Sequence, residues 1–425
     1  MGIMFLKDLQ LTNFRCHRKL YINFEDLRDS KDPIRKTTFL LGENGTGKSA
    51  LLKAIALVTA GSSSLGDLLR VPDEWVRNGT KNCEISATLM TAEGKEREIK
   101  LCIERGSNLR KILEQNKESL DLIDRAIAHA DRNYFVVGYG ASRRLNRDDQ
   151  FFSFRKGSHF QRSANVLSLF NGDAQLVSLS NWAMDLDYTG KGDGLKTVKR
   201  ALDSFLVENV RFKHIDREKK QLVFTTPDGD LPLSQLSDGY QNVASWVGDL
   251  MYRVTDTFKD FKDPLRARGL LLIDEIDLHL HPRWQRRLHE FLRVSLPNFQ
   301  VIATTHSPLT AQQANEHELY SLRREGKDVE LIAFNGSPNK MLLHQLLMSP
   351  VFGLESDESL EVQMSKNRVR EIELKKDRTT ADAVLMREIE EELAEAPINL
   401  RANSLLSMDD LKLLEAINDK LKSNK

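Results

Sequence analysis

Apolar and polar residues alternate from the start of the chain. Ile3, Phe5, Leu9 and Leu11 share one parity, Lys7 breaks it, and Leu20, Ile22 and Phe24 repeat the pattern more cleanly. A period of two predicts strands with one buried face. Residues 37–41 form an apolar run that enters a Gly-rich turn, and residues 50–60 beyond it are apolar and rich in helix formers, which predicts strand, loop and helix in succession. Alternation returns over 83–104 (Ile85, Ala87, Leu89, then Ile99, Leu101, Ile103) around Gly94 and predicts an antiparallel hairpin. Leu113, Leu120, Ile123 and Ile127 then fall at helical spacing within 109–131.

Residues 134–140 read as a short buried strand. Residues 141–165 are rich in Arg, Ser and Asn without a period and read as a long loop. Helices are expected near 176–188, 194–208 and 238–255, with a strand at 221–225. Two compact apolar strands, 269–276 and 299–305, flank a helix at 283–296, and this spacing predicts a parallel sheet. Past about residue 340 the chain becomes helical and highly charged, punctuated by Pro350, Gly353 and Pro397. The division expected is residues 1–340, with a β lobe and helical insertion about 61–220, followed by a helical region 341–425. Three apolar stripes mark that last region: Leu342, Leu343, Leu346 and Leu347; Leu385, Ile389 and Leu393; Leu411, Leu414, Ile417 and Leu421. Such faces either pack on the core or dock a partner.

Composition narrows the class. Of 425 residues, 40% are hydrophobic and 29% charged, which is ordinary for a globular protein. Lys plus Arg equals Asp plus Glu at 62 each. Contact with DNA would therefore have to come from local patches, because no overall basic field exists. Cys16, Cys83 and Cys102 have neither CxxC nor zinc spacing and suit a reducing compartment. The N-terminus lacks the pattern of a signal peptide, and no apolar run approaches the roughly 18 residues that span a bilayer, so the expected location is cytoplasmic, without membrane contact.

Four segments carry chemistry. Gly42-Glu43-Asn44-Gly45-Thr46-Gly47-Lys48-Ser49 matches GxxxxGK[ST] between a predicted strand and helix. Its glycines let backbone N–H groups turn toward phosphates, Lys48 would reach the β- and γ-phosphates, and Ser49 would ligate Mg²⁺. Gly42, Asn44, Gly45, Gly47, Lys48 and Ser49 are the nucleotide-binding candidates here. Leu270-Leu271-Leu272-Ile273 ends in Asp274-Glu275. Two unpaired carboxylates side by side at the end of a buried strand are costly, which points to a chemical role. Asp274 would hold the Mg²⁺ shell, and Glu275 would orient or deprotonate the attacking water. Ala303-Thr304-Thr305-His306-Ser307-Pro308 puts His306 at the end of the neighbouring strand as a second catalytic candidate. Leu236-Ser237-Asp238-Gly239-Tyr240-Gln241 opens a helix, and taken alone it is an ordinary N-cap.

Together and in this order the four segments resemble the ABC-type ATPases. That superfamily carries a Walker A loop, an LSGGQ-like signature, a Walker B strand with a following Glu, a D-loop and a switch His. The signature here reads LSDGYQ, with Ser237 and Gly239 at the matching positions, and the D-loop would be Ile276-Asp277-Leu278-His279. The resemblance implies an α/β, ABC-type P-loop ATPase fold with a mixed central sheet, an antiparallel β lobe, a helical insertion and C-terminal helices. It also implies ATP and Mg²⁺ as ligands. In the superfamily the signature of one subunit caps the γ-phosphate held by another, so a homodimer or higher homo-oligomer is implied. The chain departs from the family at one point. Where the family has a Q-loop Gln, it reads Gly138-Tyr139-Gly140-Ala141-Ser142-Arg143-Arg144. Either a polar residue of this loop replaces the Gln, or Arg143 contacts phosphate.

The 189 residues from Lys48 to Ser237 exceed the usual transporter spacing and fall far short of the coiled-coil insertions of SMC proteins. An insertion of middle length resembles the RecF-like and OLD-like group. The runs LSDGYQ, LLLIDEIDLHLHP and TTHSP look like the prokaryotic defence ATPases of Septu and retron systems. No DxD set of a TOPRIM nuclease follows residue 307, so a partner effector such as a nuclease is expected to do any cutting. Two other readings stay open: an ATP-dependent switch or scaffold with little hydrolysis, and a transporter motor. Possible DNA contact rests on Arg143, Arg144, Arg147, Arg155, Lys156 and Arg162, and on Arg283, Arg286 and Arg287, against the alternative of solvated surface charge.

Overall fold

In a computed structural model of the chain, the described residues are 5–26, 34–90, 95–129, 134–143, 162–188, 199, 202, 210–219, 221–258, 263–354, 356, 358–375 and 379–395. Contacts divide the chain into two compact units, 1–353 and 354–425. The boundary falls after the expected residue 340, because the helix Leu343–Leu347 buries Leu346 in the core of the first unit.

A six-stranded sheet forms the centre of the first unit. Its strands are β3 (Thr37–Gly42), β6 (Val136–Tyr139), β10 (Gly269–Ile273), β11 (Phe299–Thr304), β12 (Leu319–Glu325) and β13 (Asp328–Ala333), in the order β13-β12-β3-β11-β10-β6. All neighbours are parallel except β12 and β13. The hairpin of β12 and β13 has no clear period in the sequence, since charged Arg323, Arg324 and Glu325 end its first strand. Why β3, β10 and β11 are apolar at nearly every position is visible in the packing. Leu41, Leu271, Ile273, Val301 and Ala303 enter one core, and Leu40, Leu270, Leu272 and Ile302 enter the other. A parallel strand buried on both faces has no polar side to alternate with.

The second of these cores lies under the antiparallel lobe, β1 (Phe5–Phe14), β2 (His17–Asn23), β4 (Asn82–Met90) and β5 (Glu96–Glu104), ordered β2-β1-β4-β5, and under helix α1 (Lys48–Thr59). The break in parity at Lys7 is a register shift between Leu6 and Asp8 in the pairing of β1 with β4. There the buried amide of Gln300 takes the place of a strand neighbour. Its Oε1 accepts from the Leu6 N–H and its Nε2 donates to the Leu6 carbonyl, both at 2.9 Å. The predicted helix 109–131 is two helices, α2 (Leu109–Gln115) and α3 (Lys117–His129). Asn116 divides them, with its side chain bonded to both the N–H and the carbonyl of Cys102 on β5.

Helix α4 (Arg162–Phe170) adds Val166 and Leu169 to this same core beside the edge strand β6. The other face is covered by α5 (Leu179–Tyr188), α6 (Asp238–Thr257), α7 (Pro282–Ser295) and a small sheet of β7 (Arg211–Asp216), β8 (Gln221–Thr226) and β9 (Gly229–Pro232). Helix α4 begins inside the stretch expected to be loop. Its approach explains the glycines of 138–140: a Cβ at Gly138 would lie 2.3 Å from Leu169 Cδ1, and one at Gly140 would lie 2.2 Å from the Ser168 carbonyl oxygen. Of the helix expected at 194–208 only residues 199 and 202 are described, both helical, with Leu202 buried in the core. The turn at Gly94 and the stripe Leu411–Leu421 lie outside the described residues. In the second unit, α8 (Leu360–Glu373) and α9 (Thr380–Glu395) bury Ile372 and Ile389. Among the described residues no helix is long and apolar enough to cross a membrane.

One buried ion pair ties α6 to its surroundings. Arg253 Nε donates to Asp249 Oδ2 at 2.6 Å, the Tyr139 hydroxyl donates to the same oxygen at 2.8 Å, and the Val177 N–H donates to Oδ1 at 2.8 Å. Asp249 is fully buried and Arg253 is 7% exposed. Removing one partner of such a pair leaves an uncompensated charge, so Asp249→Ala should lower the unfolding free energy by about 3–5 kcal/mol. Urea denaturation checks this; an unchanged midpoint and slope would show that the pair holds nothing in place.

Candidate functional site

The parallel register brings four strand ends to one edge of the sheet. Ala303 pairs with Ile273 and Thr304 with Leu40, while Ile273 also pairs with Tyr139. The segments that follow β3, β10, β11 and β6 are therefore neighbours. They contain the phosphate loop, Asp274-Glu275, Thr305-His306 and Gly140–Arg143.

Gly47 forms the N-cap of α1 with φ +88 and provides no capping side chain, and the first turn holds no acidic residue. The first N–H groups of the helix thus keep their capacity for an anion. The loop is closed on itself by Lys48, whose Nζ donates to the carbonyls of Gly42 at 2.7 Å and Glu43 at 2.9 Å, and by Thr46 Oγ1 donating to Glu43 at 2.8 Å. Burial is the main influence on the Lys48 ammonium and pulls it below its ordinary range, against Asp274, Glu275 and Glu43, which raise it. Ser49 is half-buried at the next position, and Asn44 and Gly45 are exposed at the rim.

Asp274 and Glu275 are joined to β11 through Thr304. The Thr304 hydroxyl donates to Asp274 Oδ1 at 2.6 Å and accepts from the Glu275 N–H at 2.7 Å, and the Ile276 N–H donates to the Thr304 carbonyl at 3.0 Å. Asp277 is held in the same way by the hydroxyls of Thr305 and Thr310. His306 is exposed. Burial of its ring comes first and the nearby Lys48 second in lowering its pKa, while Glu275, Asp277 and Asp274 oppose them. It is therefore a neutral imidazole at neutral pH, able to accept a hydrogen bond. These charge effects place Lys48, Asp274, Glu275 and His306 within one electrostatic neighbourhood.

Ser237 is the N-cap of the 20-residue α6, exposed and without a side-chain cap bond. Gly239 belongs to the same turn. A Cβ there would lie 2.8 Å from the His279 carbonyl oxygen, so the signature turn rests on the loop that follows Glu275. No hydrogen bond joins Ser237 or Gly239 to the phosphate loop among the described residues.

Three contributors to the site have no signal of their own in the sequence. Arg324 on β12 donates from Nη2 to the Gly45 carbonyl at 2.6 Å. His17 is fully buried behind the loop with Nε2 3.2 Å from the Gly47 carbonyl. Thr304 lies within the TTHSP run, but nothing in that run foretells its two bonds. The loop at 138–144 also differs from expectation. Arg143 is buried beneath the backbone of Asp274 and Glu275, to whose carbonyls it donates, so it is neither a surface DNA contact nor directed at phosphate. Arg162 donates to the carbonyls of Thr59, Ala60 and Tyr134 and is structural. Arg144, Arg147, Arg155 and Lys156 lie outside the described residues; Arg283, Arg286 and Arg287 are on the exposed side of α7.

The residues present fit a magnesium nucleotide: an uncapped helix start, a buried Lys at its first turn, and a carboxylate pair across from it. Gly47 is the most exacting position. A Cβ there would lie 2.3 Å from Cys16 Sγ and 2.4 Å from His17 Nε2. The left-handed backbone alone costs about 1–2 kcal/mol for a residue with a Cβ. Gly47→Ala should therefore lower thermal stability and abolish ATP binding in titration calorimetry. Wild-type affinity in a folded Gly47→Ala protein would show that the loop does not need a glycine at this position to hold ATP.

The comparisons with known proteins agree with the geometry. The Septu protein PtuA of Bacillus mycoides (strain KBAB4) is 28% identical over 354 residues, covering 82% of this chain and 45% of that protein. The Septu protein PtuA of Bacillus thuringiensis is 27% identical over 333 residues, covering 75% and 76%. The Retron Vc95 probable ATPase of Vibrio cholerae serotype O1 biovar El Tor is 22% identical over 409 residues, covering 78% and 76%. The chain spans less than half the length of the first of these relatives. Residues 37–311, from β3 through the short helix after His306, match a single family throughout, and the chain belongs to that family, described as "AAA domain, putative AbiEii toxin, Type IV TA system".

Proposed function

We propose that this chain binds and hydrolyses ATP at the ends of β3, β10 and β11, that a second copy completes the site, and that the cycle controls a partner effector such as a nuclease in antiviral defence. The observation that carries the reading is the Thr304 bridge. Its hydroxyl donates to the Asp274 carboxylate and accepts from the Glu275 backbone N–H, which ties both residues to the end of β11 that leads into His306.

Lys48 and the N–H groups at the start of α1 would hold the phosphates, and Ser49 and Asp274 would hold Mg²⁺. When bound, the ion neutralises charge on the phosphate oxygens. Lys48 spends two of its three N–H donors on the carbonyls of Gly42 and Glu43, which leaves the third for a phosphate. Glu275 would orient the attacking water and accept its proton. Neutral His306 beside Lys48 would accept a hydrogen bond near the terminal phosphate.

The dimeric part of the proposal is supported by Ser237 and Gly239. The turn is exposed, the Ser237 hydroxyl makes no cap bond, and the helix dipole favours an anion at that end. These groups would face nucleotide held by another copy. The defence role is supported by the Septu and retron relatives, and direct DNA contact is a proposal resting on the exposed arginines of α7.

Two measurements separate binding from chemistry. Lys48→Ala should abolish ATP binding in calorimetry, whereas Glu275→Gln should bind ATP and lose roughly 10²-fold or more in turnover, as expected when a general base is removed. Wild-type turnover in Glu275→Gln would move the base elsewhere, with His306 next in line. Ser237→Arg should leave ATP binding to the monomer intact but suppress turnover and ATP-driven association followed by light scattering. Full association in Ser237→Arg would rule out the shared site.

A further inference from the structure

The loop after β6 holds a buried cation that phosphate binding does not account for. Arg143 is 6% exposed. Its Nη2 donates to the Asp274 carbonyl at 2.7 Å and also to the Glu275 carbonyl, while Nε and Nη1 have no partner among the described residues. Burial pulls the guanidinium down to about 10, against the carboxylates of Asp274, Asp277 and Glu275, so it stays charged at neutral pH. A buried charge that bonds to carbonyls is unfavourable unless surrounding negative groups compensate it, and here three carboxylates offset part of that cost.

What this arrangement achieves is visible in the backbone. Glu275 has φ +48, in the left-handed region that residues other than glycine rarely occupy. Such a conformation persists only where neighbouring groups over-determine it. From β11, Thr304 holds the N–H groups of Glu275 and Ile276. From the other side, the Tyr139 carbonyl accepts from the Asp274 N–H at 2.8 Å, and Arg143, four residues further along the same chain segment, holds the carbonyls of Asp274 and Glu275. The turn is thus gripped on its N–H side by β11 and on its carbonyl side by Arg143. Segment 139–143 occupies the place where the ABC-type resemblance leads one to expect a Gln directed at the nucleotide. Here the side chain is directed at the backbone that carries the catalytic carboxylate.

We propose that Arg143 is a positioning residue for ATP hydrolysis: by binding both carbonyls it fixes the strained turn at Glu275 and thereby aims the carboxylate at the water. The proposal rests on the ATPase reading and adds to it a residue that touches neither nucleotide nor metal. Loss of Arg143 should therefore act on turnover and spare nucleotide affinity. That split separates it from a phosphate-binding arginine, and from a group that only supports the fold.

The test compares Arg143→Ala, Arg143→Lys and Glu275→Gln in the full-length protein, with kcat measured beside ATP Kd by calorimetry and a thermal melt for each. Arg143→Ala should melt cooperatively, bind ATP as the wild type does and lose roughly 10- to 100-fold in kcat, the range typical of groups that orient a ligand from behind. Arg143→Lys, which keeps the charge and a donor on a shorter stem, should recover part of that loss. Wild-type kcat in Arg143→Ala would overturn the proposal, and so would an ATP affinity that falls as far as kcat. If Arg143→Ala does not fold, Arg143→Lys decides: reduced kcat at unchanged Kd supports the proposal, and wild-type kcat refutes it. If Glu275→Gln itself turns over at the wild-type rate, the base assignment fails first, and the positioning role falls with it.

Discussion

The parallel pairing of β10 with β11, and of β11 with β3, is the constraint on which the rest depends. Those pairings bring the phosphate loop, the two carboxylates and His306 to one edge, with Gly42 and His306 264 positions apart in sequence. A parallel sheet needs cover on both faces, and the two halves of the unit supply it. The antiparallel lobe and α1 cover one face, and the signature helix, α7 and the small sheet cover the other. The helix that begins at Lys48 and the one that begins at Asp238 are thus layers of the core as well as carriers of chemistry.

Charge at the site is arranged in opposition. Lys48 is pulled down by burial and held up by Asp274, Glu275 and Glu43. Arg143 has the same balance one layer deeper, with Asp274, Asp277 and Glu275 opposing its burial. The carboxylates of the 274–277 turn thus act on two cations, while threonine hydroxyls donate to Asp274 and Asp277. Replacing any one group shifts the balance for the others, which is why turnover and affinity must be measured separately in each variant.

Much of this is legible in the sequence because the informative signals are local. The glycines and Lys48 lie within one turn, Asp274-Glu275 end a run of four aliphatics, and the hairpin 83–104 alternates cleanly. What is not legible is non-local. The substitution of a strand neighbour by Gln300, the contact of His17 with Gly47 and the bond from Arg324 to Gly45 join residues 30 to 294 positions apart. Helix α4 is hidden because it begins in a polar stretch and is short; β12 and β13 are hidden because their exposed ends are charged. Arg143 looks like a phosphate or DNA contact because a basic residue in a polar loop carries no mark of burial. Only the glycines at 138 and 140 hint that something packs closely there.

The proposed shared site needs two half-sites on each chain, the phosphate loop with its carboxylates and the exposed turn at Ser237. The most direct measurement is complementation. Lys48→Ala and Ser237→Arg proteins, each inactive alone, are co-expressed with different tags and isolated through both. The mixed assembly should regain ATP turnover well above either variant alone, because one composite site pairs an intact Lys48 with an intact Ser237. A mixed assembly that forms but stays as inactive as its parents would contradict the shared site.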